Sequence, residues 1–280
     1  MDDEKITEEI PEDENSDRTE EPSSKILIVE DNEEFISYLT RVIGQRYHIH
    51  TAGNGEEALK SLENLKPDIV ISDVMMPVMD GIEFCKAVKG NFDTSHIPLI
   101  LLTAKSKEED RVEAYESGAD AFIAKPFNLS ILHARIGNLL KSRERVMKDF
   151  KKQLVFEAKE LNYTSIDEDF LQRAIDCVNR HLDDPNFDQT RFLEEMHTTK
   201  STFFRKLKSL TGLTYVSFIR NIRMKAACRI MEEKGNNIRV SELAYIVGFN
   251  DPKYFSVCFK KEFGMLPTDY IERFIQDVEK

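Results

Sequence analysis

Between Lys25 and Lys141, five short β-rich runs alternate with five amphipathic stretches, and this alternation restricts the fold of the 280-residue chain more than any other feature. Ile26–Val29, Tyr47–Ala52, Asp68–Ser72, Pro98–Leu102 and Ala121–Ala124 read as strands. Apolar residues recur at helical spacing over 33–44, 55–64, 82–90, 107–117 and 128–141, with Gly81, Gly118 and Pro126 as punctuation. Strands alternating with helices need crossover connections, and these predict a doubly wound, five-stranded parallel α/β sheet with helices on both faces.

In such a sheet, ligands bind beyond the carboxyl ends of the strands. Glu30 and Asp31 follow the first strand, Asp73 the third, Thr103 the fourth and Lys125 the fifth. Three carboxylates on one edge repel one another, and a hard divalent cation relieves that repulsion; Mg2+ suits an all-oxygen donor set. A carboxylate that attacks a phosphoryl donor also needs charge neutralised on the transferring oxygens, which the Lys125 ammonium can supply while Thr103 donates a hydrogen bond. A lone Asp after a strand reads as a helix cap or a turn residue. Five suitable residues at the strand ends point instead to an aspartyl phosphate on Asp73.

The motifs Ile26-Leu27-Ile28-Val29-Glu30-Asp31, Asp73-Val74-Met75-Met76-Pro77-Val78-Met79-Asp80-Gly81, Leu102-Thr103-Ala104 and Gly118-Ala119-Asp120-Ala121-Phe122-Ile123-Ala124-Lys125-Pro126-Phe127 resemble the response-regulator receiver family over residues 25–141. The resemblance implies a flavodoxin-like fold in which Asp73 accepts phosphate from a histidine kinase. It further implies that Glu30, Asp31 and Asp73, with the Met75 carbonyl, hold Mg2+, and that Thr103 and Phe122 form a switch pair. Phe122 stands where many relatives carry Tyr, so the pair lacks one hydroxyl. The Lys125–Pro126 bond is expected to be cis.

The rest of the chain divides by charge. The overall balance of -12 hides strong local differences. Residues 1–24 are rich in Glu, Asp, Pro and Ser, have no hydrophobic period and are expected to be a disordered tail. Residues 142–167 open with alternating charges and are expected to form a helical extension and a linker; residues 168–280 carry only helical periodicity. From Thr199 to Met231 there are eight basic residues and no acidic one, a local basic face suited to nucleic acid. No apolar run reaches the roughly 18 residues of a membrane span. The start is too acidic for a signal peptide, and the four cysteines are widely spaced, so a cytoplasmic location with reduced thiols is expected.

Residues 192–212 read as helix, polar turn and second helix, the latter capped by Thr199. Phe203, Leu207 and Leu210 are spaced to face inward, leaving Lys200, Ser201, Phe204, Arg205 and Lys208 outside as DNA contacts. Residues 240–264 repeat the plan, with Asp251 as cap and Pro252 at the first helical position. There Phe255, Phe259 and Phe263 read as core, Lys253, Tyr254, Ser256 and Val257 as base readers, and Lys260 and Lys261 as phosphate contacts. The first unit, being more basic, is expected to supply more of the affinity.

Arg220-Asn221-Ile222-Arg223-Met224-Lys225-Ala226-Ala227, Val247-Gly248-Phe249-Asn250-Asp251-Pro252-Lys253-Tyr254-Phe255-Ser256 and Phe263-Gly264-Met265-Leu266-Pro267 resemble the AraC-type DNA-binding domain. That resemblance implies a long helix near Val216–Glu233 joining two units that enter successive major-groove segments of promoter DNA. The combination resembles the C-terminal part of hybrid two-component regulators, or a free-standing regulator of similar build. The expected function is phosphorylation-dependent transcription control without enzymatic turnover, with homodimerisation on phosphorylation. A phosphohydrolase using Asp73 as nucleophile is the alternative chemistry, but such enzymes typically place a second acid where Met75 stands. A receiver that docks protein rather than DNA is a third reading, and the basic stretch speaks against it.

Overall fold

The computed structural model describes residues 24–104, 116–152 and 163–278, with side chains through 274. The expected tail, nearly all of the helix expected over 107–117, and residues 153–162 of the expected linker lie outside the described residues. Five parallel strands, β1 (Lys25–Val29), β2 (His48–Ala52), β3 (Ile69–Asp73), β4 (Leu99–Thr103) and β5 (Ala121–Ala124), stand in the order β2-β1-β3-β4-β5. The sheet is packed between α1 (Glu33–Ile43) and α4 (Leu129–Lys152) on one face and α2 (Gly55–Leu65) and α3 (Gly81–Gly90) on the other.

Strand alternation assigns the two faces. Ile26, Ile28, Ile69, Ile71, Ile100 and Leu102 meet Leu39, Ile43, Leu132 and Ile136. Leu27, Val29, Val70, Leu99 and Leu101 meet Ala58, Leu62, Phe84 and Val88. Because both faces are covered, β3 and β4 are buried throughout and read as continuous apolar runs. The edge strand β2 exposes His48, His50 and Thr51.

Among the described residues, seven further α-helices follow: α5 (Ser165–Arg180), α6 (Gln189–Met196), α7 (Lys200–Thr211), α8 (Tyr215–Lys234), α9 (Val240–Ile246), α10 (Pro252–Phe263) and α11 (Pro267–Val278). Each of α5 to α8 and α10 begins at a Thr or Asp whose side chain accepts a backbone N–H of the first turn. The helix α8 is the spine of this region. Its first half puts Phe218, Ile219 and Ile222 into one core with Phe170, Phe192 and Phe203, and its second half puts Met224, Cys228 and Met231 into another with Leu243, Phe255 and Phe259. All four cysteines are buried and free.

The two parts of the chain are joined by more than a tether. At the far end of α4, Phe150 is fully buried in the first helical core and stacks on Phe218 at 6.0 Å. Lys225 donates to the Phe150 carbonyl and Asn221 to that of Lys151 (3.2 Å), so α8 supplies donors to carbonyls at the end of α4. Burial pulls Lys225 down to about 8, with the Glu262 carboxylate opposing the shift.

Candidate phosphoacceptor site and nucleic-acid interface

Asp73 is the last residue of β3, and the loop after it turns back so tightly that the Gly81 N–H donates to the Val74 carbonyl (2.9 Å). A Cβ at position 81 would overlap the Asp73 carbonyl, so only glycine lets α3 start here. Asp80 caps α3 through Ile82 and Glu83. Met75 lies on this loop with an exposed side chain.

At the carboxyl edge of the sheet, oxygens of Glu30, Asp31 and Asp73 lie within 4.8 Å of one another. Lys125, at the end of β5, reaches both Asp73 (2.9 Å) and Glu30 (2.8 Å) and lies 4.4 Å from the centre of the Phe35 ring. Its peptide bond to Pro126 is cis, as the receiver resemblance implies. Burial pushes the Glu30 carboxyl above its ordinary value, the nearby Asp73 adds to this, and hydrogen bonding from Lys125 opposes it. For Lys125, burial acts to lower the pKa, but the hydrogen bonds and charges of Glu30 and Asp73 outweigh it and hold the ammonium above its usual range.

One ammonium shared by two of three clustered carboxylates leaves the edge electronegative, and the all-oxygen donor set suits a hard divalent cation. Thr103 is buried at the end of β4, and Phe122 lies half-buried on β5, where its backbone pairs with Leu101. The structure thus gathers Glu30, Asp31, Asp73 and Lys125, with Thr103 and Phe122 on the two strands alongside.

The second constellation is distributed differently from the sequence expectation. On α7, Phe203, Leu207 and Leu210 are buried as expected, and Lys200, Ser201 and Lys208 are exposed. Phe204 and Arg205 are not free on the outside. Phe204 is half-buried between Phe203 and Tyr215, each ring 5.8 Å away, and Arg205 is paired with Asp93 of the α3–β4 connection. Both departures arise because one flank of α7 packs against other elements, which helical periodicity within 192–212 cannot register.

Three more bases of the Thr199–Met231 stretch point inward: Lys206, Lys225 and Arg223, the last donating to the carbonyls of Gly248 (2.9 Å) and Asp184 (2.7 Å). Gly248 takes φ +74°, and a Cβ there would run into the Arg223 guanidinium. The basic stretch is therefore partly structural. On α10, Lys253, Tyr254, Val257, Lys260 and Lys261 are exposed, while Ser256 is half-buried and its hydroxyl donates to the Pro252 carbonyl (2.9 Å). Sequence reasoning missed Asp93, Ser95 and Asp167, ordinary loop and cap residues whose partners lie on α7 or close beside it.

Residues 26–137 match the family described as "Response regulator receiver domain", and residues 192–273 match a "Helix-turn-helix domain" family of AraC type. The chain carries a response-regulator receiver domain and a helix-turn-helix DNA-binding domain of AraC type. It is 39% identical over 256 residues to "Histidine kinase P4" of Formosa agariphila, a match covering 91% of this chain and 18% of that protein. Over 123 residues it is 40% identical to the "Alkaline phosphatase synthesis transcriptional regulatory protein PhoP" of Bacillus subtilis, covering 44% of this chain and half of that one. Among solved structures, the receiver domain of a histidine kinase from Syntrophus aciditrophicus shares 37% identity, covers 48% of this chain and 98% of its own, and gives a TM-score of 0.42. The chain thus spans about a fifth of the first of these relatives and half of the second. Among the described residues, no helix is long and apolar enough to cross a membrane.

Proposed function

We propose that this chain is a phosphorylation-controlled, sequence-specific transcription regulator working in the cytoplasm: Asp73 receives a phosphoryl group from a histidine kinase, and the tandem helix-turn-helix domain binds duplex promoter DNA. The observation that carries this reading is the convergence of Asp73, Glu30, Asp31 and Lys125 on one sheet edge in a chain that also carries two helix-turn-helix units. The Asp73 carboxylate attacks phosphorus, forming the acyl phosphate as the donor's histidine nitrogen leaves. Lys125 is placed to meet the phosphoryl oxygens, and Thr103 to hydrogen-bond one of them. Glu30, Asp31 and Asp73, with the Met75 carbonyl, would hold Mg2+, which when bound neutralises charge on the transferring group.

The phosphoryl group adds close to two negative charges beside a switch pair, Thr103 and Phe122, whose rearrangement biases dimerisation on repeated sites. Met75, where a hydrolase would want a second acid, favours a stable acyl phosphate over turnover, so the chain acts as a regulator and not as an enzyme. The likeness to part of a Formosa histidine kinase supports a role as the output end of a longer sensor chain as well as a free-standing one. With acetyl phosphate and Mg2+ as donor system, the wild-type chain is expected to gain one phosphoryl group by mass spectrometry and to bind selected genomic duplexes more tightly, and Asp73→Ala to do neither. DNA affinity that responds to the donor equally in Asp73→Ala would sink the proposal.

A further inference from the structure

The first turn of α1 stands over the same sheet edge as Asp73. The Asn32 side chain accepts the Phe35 N–H (2.9 Å), which fixes where this helix starts. Phe35, Leu39 and Ile43 follow at intervals of four on the face packed against the sheet. Leu39 and Ile43 are fully buried, whereas Phe35, at the carboxyl-edge end of the stripe, is half-buried. Its ring is held from two sides, stacked with Tyr38 and edge-on to Phe127, each 6.3 Å away. Packing alone asks only for an apolar side chain at this position. The ring also meets a charge: Lys125 Nζ lies 4.4 Å from its centre while pairing with Asp73 (2.9 Å) and Glu30 (2.8 Å).

An ammonium within about 6 Å of a ring centre is attracted by the electron-rich face. Of these three partners of Lys125, the ring alone carries no net charge. Both carboxylates change their interactions when a phosphoryl group arrives, because an Asp73 oxygen becomes bonded to phosphorus and Glu30 belongs to the oxygen set suited to a divalent cation. Lys125 must then turn from the Asp73 oxygen to the oxygens of the incoming group. The Phe35 face is the partner that stays the same throughout, and it offers no lone pair to compete for the ammonium N–H groups.

We propose that Phe35 is a positioning residue for phosphoryl transfer, its ring face keeping the Lys125 ammonium aimed at the phosphoryl position while the Asp73 carboxylate becomes an acyl phosphate. The inference rests on the reading of Asp73 as the phosphoacceptor. With acetyl phosphate as donor, an Asp73 oxygen forms the new bond to phosphorus and acetate leaves with the electron pair of the bond that breaks. Lys125 keeps its proton, and Phe35 takes no part in the covalent change. The ring acts by ordering the cation beforehand, so less freedom is lost in reaching the transition state.

The test uses the full chain with Mg2+ and acetyl phosphate, the initial rate of phosphoryl gain being read by mass spectrometry. Phe35→Leu, which keeps an apolar side chain against Phe127, is expected to slow the reaction about two- to tenfold, and Phe35→Tyr to stay within about twofold of wild type. Phenylalanines carrying one, two and three ring fluorines at position 35 keep the shape and withdraw electrons from the face. They are expected to slow the reaction progressively while the melting temperature stays unchanged. In the unphosphorylated chain, NMR is expected to find the Lys125 ε-protons shifted upfield by the ring and returned towards ordinary values in Phe35→Leu. A rate that is flat across the fluorine series, a Phe35→Leu chain as fast as wild type, or ε-protons indifferent to loss of the ring overturns the positioning role. A wild-type chain that gains no phosphoryl group, or an Asp73→Ala chain that gains one equally fast, with the ring shift at Lys125 still present, overturns the phosphoacceptor reading and the role with it.

Discussion

Both α7 and α10 run for twelve residues, begin at a side-chain cap and end at a left-handed glycine, Gly212 or Gly264, yet α7 lies against the receiver while α10 keeps a basic, aromatic face in solvent. The seventh residue of each helix shows why. In α10 it is Cys258, an uncharged side chain packed in its own core; in α7 it is Lys206, buried just as deeply and neutralised by Asp167 with help from Phe92 and Ser95. The two positions before them are Arg205, held by Asp93, and Val257, 64% exposed. The same local plan therefore yields one unit in which Arg205 and Lys206 are spent on holding the molecule together and another whose Lys253, Lys260 and Lys261 remain outside.

The strongest way to break this comparison is at the seventh position. Lys206→Ala leaves Asp167 buried without its cation and is expected to lower unfolding stability by about 3–5 kcal/mol, while Cys258→Ala is expected to lower it by about 1 kcal/mol. Urea titration followed by circular dichroism measures both. Equal losses would mean that Lys206 is not locked. The pair Lys206→Met with Asp167→Leu, which removes both charges, should recover most of the loss.

A smaller effect tests the inward-facing cations by pH. Lys225 gives up its proton near 8 in the folded protein, whereas the unfolded chain keeps it until about 10.5. Between these values the unfolded state binds more protons, so the contribution of this group to stability rises with pH, by at most on the order of 3 kcal/mol. Lys225→Met should flatten the stability profile between pH 8 and 10.5 relative to wild type. Parallel profiles for wild type and Lys225→Met would refute the buried assignment.

The smallest effect separates the two caps. Asp251 accepts the Lys253 N–H at 2.7 Å, and Thr199 accepts that of Thr202 at 3.4 Å. Asp251→Ala and Thr199→Ala should each cost about 1 kcal/mol, with the shorter, charge-assisted cap at α10 losing the more. Thermal melts showing a larger loss for Thr199→Ala would indicate that packing against the receiver, rather than capping, holds the start of α7.

Much of this was legible in the chain. Ile26–Val29, Pro98–Leu102 and the other expected strands lie within a residue or two of those found, since short β-rich apolar runs and punctuating residues act between neighbours. The carboxylates at the strand ends could be foreseen for a similar reason: a parallel sheet sends every strand's end to the same edge, so Glu30, Asp31, Asp73 and Lys125 needed only the right order of elements to meet. The long helix expected near Val216–Glu233 is found as Tyr215–Lys234.

The fate of the basic residues was not legible. Arg205 looked like a reader of DNA because periodicity places it opposite the core of its own unit, but its partner Asp93 lies 112 residues away; Lys206 and the Phe92 carbonyl are 114 apart. Sequence alone determined where helices and strands begin, which side chains cap them and which edge of the sheet holds the acids, because these depend on neighbours or on strand direction. Tertiary structure alone decided which cations face solvent, because a charge is neutralised by whatever the packed chain brings within a few ångströms, and no periodicity records that.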